Sequence, residues 1–267
     1  MNPTYSFIPF LKTKPYYEKN YPNRDRIKLK IKTITHIHIS SGFYENDNQV
    51  IYKGFYKVKD IPTIPGTSLK GCIRSIAEMV SYSCINVIDK EHIDFLPEGK
   101  NVNNHNCIIC DIFGSKGKKS KVMFSDFKLI KGQAEIINIA SSYSPNTKSE
   151  YYYENGKFKG YKVYTHGKVN CYNKGDIAIE AITPNSEFEG TIDYYNLSDL
   201  ELKLLCFSLG LSGIKLKIGY GKNHYLGSIE ILCDNDYFIK KAIDYEKIND
   251  NKIQDNIKIL KEILKIN

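Results

Sequence analysis

The stretch that most narrows the possible folds is residues 61–78, IPTIPGTSLKGCIRSIAE. Pro62 and Pro65 bracket a short segment, and the Pro65-Gly66 turn ends it, because proline fixes φ and the glycine after it frees it. From there Leu69, Ile73, Ile76, Ala77 and Val80 recur at helical spacing, so a helix must pack one apolar face on something, most simply a sheet. A strand precedes it. RIKLKIKTITHIHIS (26–40) alternates Ile27, Leu29, Ile31, Ile34 and Ile37 with polar residues, with one phase slip near Thr33. A polar loop over about 42–62 joins the two.

The same alternation of elements continues downstream. KVMFSDFKLI (121–130) predicts a strand, and further strands are expected at 161–170 and 186–195. SDLELKLLCFSLGL (198–211) predicts a second helix, with Ser198 as N-cap and Glu201 at the capping-box position. IKLKIGYGKNHYLGSIEI (214–231) reads as a glycine-interrupted loop ending in a strand. The order strand, helix, strands, helix, strand is that of an α+β, ferredoxin-like (RNA-recognition-motif-like) core. Around this core the sequence adds an irregular arm (1–25), a loop-rich Cys/His insertion (84–120), a Ser/Asn/Tyr/Gly-rich segment suited to a mobile loop (140–160) and a charged helical tail (236–267). One domain over 1–267 is expected.

Composition limits the partners. Lysine and arginine outnumber aspartate and glutamate 38 to 30, a formal +8 that modestly favours a polyanion. The 21 tyrosines, together with lysine, supply the stacking faces and phosphate neutralisers of single-strand nucleic-acid surfaces, although a biased genome would enrich the same residues. No segment approaches the roughly 20 apolar residues of a membrane span, so a cytoplasmic protein with no membrane partner is expected. The seven cysteines then read as reduced thiols or metal ligands. Cys107 and Cys110 have the spacing of half a zinc knuckle; His105 lies just ahead and Cys84 and His92 upstream. Cys84, His105, Cys107 and Cys110 are the candidate ligands of a structural Zn²⁺, with His92 as an alternative to Cys84 for the fourth. Two reduced cysteines beside an inward-packing Ile-Phe-Gly is the other reading. Cys72, Cys171, Cys206 and Cys233 read as small buried hydrophobes.

The helix start has its own chemistry. With Thr67 or Ser68 as hydroxyl cap, the first N–H groups point outward and the macrodipole adds partial positive charge. Lys70 in the first turn is unfavourable for such a helix, and a phosphate would relieve it, with Gly66 and Gly71 letting a nucleic-acid backbone approach closely. Arg74, one turn on, extends the same face. A capped surface helix with two solvated basic residues is the competing account.

The full string IPGTSLKGCIRS resembles the IPG-[ST]-SLKG-x-[IL]-R-[ST] signature of the RAMP superfamily, in particular the backbone-type subunits of type III CRISPR effector complexes. IGYGKNHYLGSIEI is similar to the family's glycine-rich loop, departing from it at Asn223, His224, Tyr225 and Leu226. HNCIICDIFGSKG resembles the family's cysteine-containing segment ending in Phe-Gly. The resemblance spans residues 64–231. It implies a subunit that binds CRISPR guide RNA, contacts complementary target RNA and other effector-complex subunits, and is built on the ferredoxin-like fold.

The resemblance further implies RNA contacts by Gly66, Thr67, Ser68, Lys70, Gly71 and Arg74 and by Gly219, Gly221, Lys222 and Gly227, with Tyr164 and His166 as added candidates. Target-cleaving members carry an aspartate in the loop before the signature helix. Asp47 in DNQVI matches it better than Asp60, and with Mg²⁺ or Mn²⁺ it would orient the attacking ribose hydroxyl. An ordinary turn would use the same residues. His36 and His38 are expected on one strand face as polar or RNA-contacting residues. A non-cleaving capping subunit, a precursor-guide-RNA-processing endoribonuclease of the same superfamily, and a scaffold whose basic face meets an acidic protein all stay open.

Overall fold

The computed structural model describes all residues except 1–3, 18–20, 48–49, 87, 142–148, 170–175 and 267. In chain order the strands are β1 (Tyr5–Ile8), β2 (Arg24–Thr33), β3 (Ser40–Asp47), β4 (Val50–Phe55), β5 (Lys57–Val58) and β6 (Ile61–Ile64), followed by helix α1 (Gly66–Met79). A short 3₁₀ segment (Lys90–Phe95) and helix α2 (Ile108–Phe113) lie in the insertion. Then come β7 (Val122–Phe124), β8 (Phe127–Lys131), β9 (Ala134–Ile139), β10 (Tyr153–Glu154), β11 (Lys157–Phe158), β12 (Tyr161–Tyr164), β13 (Ile177–Ile182) and β14 (Glu187–Tyr195). The chain ends with α3 (Asp199–Ser208), β15 (Leu216–Lys217), β16 (Ser228–Leu232), α4 (Asp236–Glu246) and α5 (Asn251–Ile263).

The centre of the main sheet runs β16-β2-β14-β8, every pair antiparallel. Taking β2, β8, β14 and β16 as the four strands of a βαββαβ unit, this is the order 4-1-3-2 of the ferredoxin-like fold, with α1 and α3 as its two helices. The hydrophobic pattern dictates it. Ile27, Leu29, Ile31 and Thr33 of β2 and Phe188, Ile192 and Tyr194 of β14 are buried on the helix side, against Leu69, Ile73, Ile76 and Ala77 of α1 and Leu202, Leu205 and Cys206 of α3. The capping box of α3 forms as its sequence requires, Glu201 N–H donating to Ser198 Oγ (3.2 Å) and Ser198 N–H to Glu201 Oε2 (2.7 Å).

Several expectations need correction. The 26–40 strand stops at Thr33, at the phase slip, and residues 34–39 instead cross to a second sheet of order β3-β4-β13-β9. The loop of 42–62 forms two antiparallel strand pairs instead, β3 with β4 and β5 with β6. The 121–130 strand is broken at Ser125-Asp126 into β7 and β8, both paired with β14. β9 and β13 lie outside the expected strands. The arm contributes β1, paired with β12, and the tail is two helices whose Phe238, Ala242, Tyr245, Ile253, Ile257 and Leu260 join the main core. The middle of the 140–160 segment, and Cys171, lie outside the described residues. No helix among the described residues is long and apolar enough to cross a membrane.

Candidate nucleic-acid interface and metal centre

Helix α1 starts at Gly66, one residue ahead of the expected hydroxyl cap, with Pro65 as N-cap and no side-chain cap of its own. The cap comes from across the fold: Gly66 N–H donates to Asp126 Oδ1 at 2.9 Å, and Asp126 sits in the break between β7 and β8. The break and the helix start therefore explain each other. Gly66 is fixed by packing, since a Cβ there would fall within 3.0 Å of the carbonyl oxygens of Phe124 and Ser125.

Gly71 is different. It is exposed, and a Cβ there would meet nothing within 4 Å. Thr67, Gly71 and Ser75 form an exposed strip along α1, with Lys70 and Arg74 beside it. Lys70 Nζ donates to Ser120 Oγ at 2.8 Å and has no acidic partner among the described residues. Burial, and then the neighbouring Arg74, hold its ammonium below the usual lysine range. Arg74 turns inward, with Nε on Glu78 (2.8 Å) and Nη1 on the Gly114 carbonyl (3.0 Å).

The glycine-rich loop reaches the other side of the strip. Gly219, Gly221 and Gly227 all have positive φ, and Gly227 and Tyr220 donate N–H bonds to the carbonyls of His36 and His38 at 2.8 and 2.9 Å. Residues 34–39 thus clip the loop to the second sheet. Its start meets α1 where Cys72 Sγ donates to the Lys217 carbonyl at 3.4 Å. Lys217 was not singled out by the sequence because it sits in an apolar alternation. Its ammonium is buried, bonded to Ser228 Oγ at 3.3 Å, with no ion pair among the described residues. Burial first, and then Lys222, push its pKa down to about 7.

His166 joins this group. Its Nε2 donates to the Lys215 carbonyl (3.2 Å), leaving Nδ1 to accept from the Ser228 hydroxyl (2.8 Å). Burial, followed by Lys217, pushes its pKa down to about 4. Tyr164 goes elsewhere, into an aromatic group with Tyr5 (6.0 Å), with Lys162 Nζ 4.9 Å above its ring. His38 is buried, its Nδ1 donating to the Glu180 carbonyl at 2.7 Å, while His36 pairs with Glu135; both lie between β2 and β3, outside the strands.

The outer face of the β2–β14 pair is mainly charged, with Tyr195 opposite Arg24 at one end. Arg26, Lys28, Lys30 and Lys32 of β2 face Asp193, Thr191, Glu189 and Glu187 of β14, with ion pairs at Arg26–Asp193 (2.6 Å) and Lys30–Glu189 (3.5 Å). The likeness to an RNA-recognition motif is topological, since paired charges rather than aromatic rings occupy most of this face.

Asp47 is exposed at the end of β3, paired in register with Val50 across the hairpin. Phe43, Tyr44 and Ile51 of the same hairpin are 75, 69 and 67% exposed, so it projects as an uncovered apolar arm. Asp60 is a turn residue: Lys59 and Asp60 both have positive φ between β5 and β6, as a two-residue hairpin turn requires.

The insertion closes on its thiols. Cys84, Cys107 and Cys110 are buried, free and mutually 3.4, 3.5 and 3.6 Å apart at Sγ. These separations are too long for S–S bonds and close to the roughly 3.8 Å that tetrahedral Zn–S bonds of about 2.3 Å demand. The cluster can hold a metal ion such as zinc. Hydrogen bonding with Cys110, and then with Cys84, pulls the Cys107 thiol below its ordinary range, and the bond with Cys107 pushes Cys84 up. His105 is not among the residues whose ligand atoms gather within 4.8 Å; its Nδ1 is buried with no partner among the described residues. His92 packs on Phe158 instead (5.9 Å). Asp111 of α2, buried and ion-paired to Lys118 and Lys121, ties the insertion to α3 through Glu201 (3.4 Å from Lys121), a network the sequence did not reveal.

A family model described as RAMP superfamily matches residues 30–230. No curated protein matches the chain. The matched span runs from β2 to β16 and includes α1, the thiol cluster and the glycine-rich loop.

Proposed function

The chain belongs to the RAMP superfamily and is in that sense CRISPR-associated, and from that premise we propose that it is a guide-RNA-binding backbone subunit of a type III RNA-guided interference complex. The observation that carries the reading is the strip on α1: a glycine with open space above it, flanked by Lys70, which is desolvated and has no acidic partner among the described residues. A half-buried cation without a counter-charge favours an anion beside it, and a phosphodiester laid along Thr67, Gly71 and Ser75 supplies one. The glycine-rich loop meets the same helix where Cys72 bonds the Lys217 carbonyl, and it carries Lys222. Ser68, Gly219, Gly221 and Gly227 act through the backbone they shape.

Zn²⁺ held by Cys84, Cys107 and Cys110 organises the insertion, and rotation of His105 would complete the tetrahedron. Asp47 is the cleaving residue. Its exposed position at the end of β3 suits a carboxylate that acts on RNA bound along a neighbouring surface, and it would be the residue to hold a Mg²⁺ or Mn²⁺ ion, which would supply Lewis-acid chemistry at the phosphate. The test is cleavage of a guide-complementary RNA by the assembled complex. Asp47→Ala should abolish cleavage and leave RNA binding intact; unchanged cleavage removes Asp47 and leaves a non-cleaving subunit.

A further inference from the structure

The N-terminal arm builds an aromatic surface that the phosphate strip does not use. Strand β1 pairs antiparallel with β12, Tyr5 opposite Tyr164 and Phe7 opposite Lys162. Alternate residues of a strand point to opposite faces. Ile8 and Val163, both buried, turn one face of the ribbon to the core, and Tyr5, Phe7, Lys162 and Tyr164 share the other. Tyr151 and Tyr152, from a short 3₁₀ turn (Glu150–Tyr152), pack on the rings of that second face.

Tyr151 is 43% exposed and yet held in place. Its ring meets Tyr5 edge-on at 5.6 Å and Tyr152 edge-on at 6.3 Å, and is tilted against Phe7 at 5.7 Å. A ring fixed in advance by three others loses little side-chain entropy when a flat group is laid on it. Cations frame it. Lys159 Nζ lies 5.0 Å from its centroid, and Lys162 Nζ lies 3.9 Å from that of Tyr5 and 4.9 Å from that of Tyr164. Neither lysine has an acidic partner among the described residues. Glu150, beside Tyr151 in the chain, lines a cavity with Phe95 and Tyr153. Lys162 also lines a groove of about 590 Å³ together with Ser75, so the ribbon continues the strip on α1.

We propose that the ribbon is a stacking platform for single-stranded RNA, in which one unpaired base lies on Tyr151 while Lys159 and Lys162 neutralise the phosphates beside it. Rings interleaved with cations that lack counter-charges match a strand of bases and phosphates, and the four residues of the ribbon face include no aliphatic side chain. The main sheet gives most of its outer face to ion pairs, and the ribbon supplies rings in its place. Stacking of this kind tolerates any base, because every base has a π-face. The inference rests on the RNA reading of α1 and adds base stacking to a track of phosphates.

The test is fluorescence anisotropy of the full chain with a labelled uridine dodecamer and with an abasic dodecamer of the same charge. Tyr151→Ala should weaken the uridine strand about fivefold or more, the loss of one stacked base, and leave the abasic strand unchanged. Tyr151→Phe, which keeps the ring, should bind like the parent. Lys162→Gln should make the salt dependence of both strands shallower, by about 0.7 in the log–log slope for one lost phosphate contact. If Tyr151→Ala, at an unchanged melting temperature, weakens both strands alike or neither, the platform is overturned. An unchanged slope in Lys162→Gln overturns it too, and decides the matter should Tyr151→Ala melt early. The strip is read separately by Lys70→Gln, which should weaken both strands. If it alone does so, the platform falls and the strip stands; if Tyr151→Ala acts and Lys70→Gln does not, the strip falls and the platform stands. A Tyr151→Ala chain that binds RNA like the parent but no longer assembles with the other subunits of its complex assigns the ribbon to a protein partner and overturns the platform. Binding of neither strand overturns both.

Discussion

Replacing Lys217 by methionine should make the protein more stable. The unfolded lysine titrates near 10.5 and the folded one near 7. A base whose folded pKa is lowered destabilises the fold fully below that pKa, and the cost fades as pH rises toward the unfolded value. At roughly 1.4 kcal/mol per pH unit, the ammonium costs at most about 5 kcal/mol below pH 7 and about 2 at pH 9. Local relaxation lowers these ceilings. Methionine keeps the buried stem and removes the charge, at the loss of about 1 kcal/mol for the Ser228 bond. Urea unfolding at pH 7, 8 and 9 under reducing conditions should therefore show Lys217→Met more stable by about 2–3 kcal/mol at pH 7, the gap shrinking by about 2 by pH 9. A variant no more stable than the parent, or a gap that does not change with pH, would refute the buried, uncompensated ammonium.

Other outcomes follow from single positions. Gly66→Ala should lower stability by about 2 kcal/mol or more in thermal melts, because the strand carbonyls of Phe124 and Ser125 cannot yield cheaply. Gly71→Ala should instead raise stability by about 0.5–1 kcal/mol through helix propensity while weakening RNA binding, and unaltered binding would show that nothing approaches that glycine. His166, pushed down to about 4 from 6.5, binds its proton in the unfolded chain first, so stability present above pH 6.5 should fall as pH drops toward 4, and His166→Gln should flatten that limb of a pH–stability curve. Elemental analysis should find about one zinc per chain, lost in Cys107→Ser together with several degrees of melting temperature.

The local chemistry was legible in the sequence wherever neighbours in the chain decide it. The apolar periods of β2, β14, α1 and α3, the Ser198–Glu201 box and the order of the elements yield the ferredoxin-like core, because period and capping are short-range properties. The CxxC spacing of Cys107 and Cys110 pointed at the thiols, and the glycines at the loop. Long-range pairing decided the rest. The helix start is capped by Asp126, 60 residues away; Gly66 answers to strand carbonyls and Gly71 to open space, although both read alike in the string. Arg74 proved to be drawn inward to Glu78 and Gly114, and Lys217, hidden in an apolar run, became the buried cation beside the strip. Burial, and the charges that burial leaves unpaired, depend on which distant segments meet, and that is information the order of residues encodes but only the packed chain expresses.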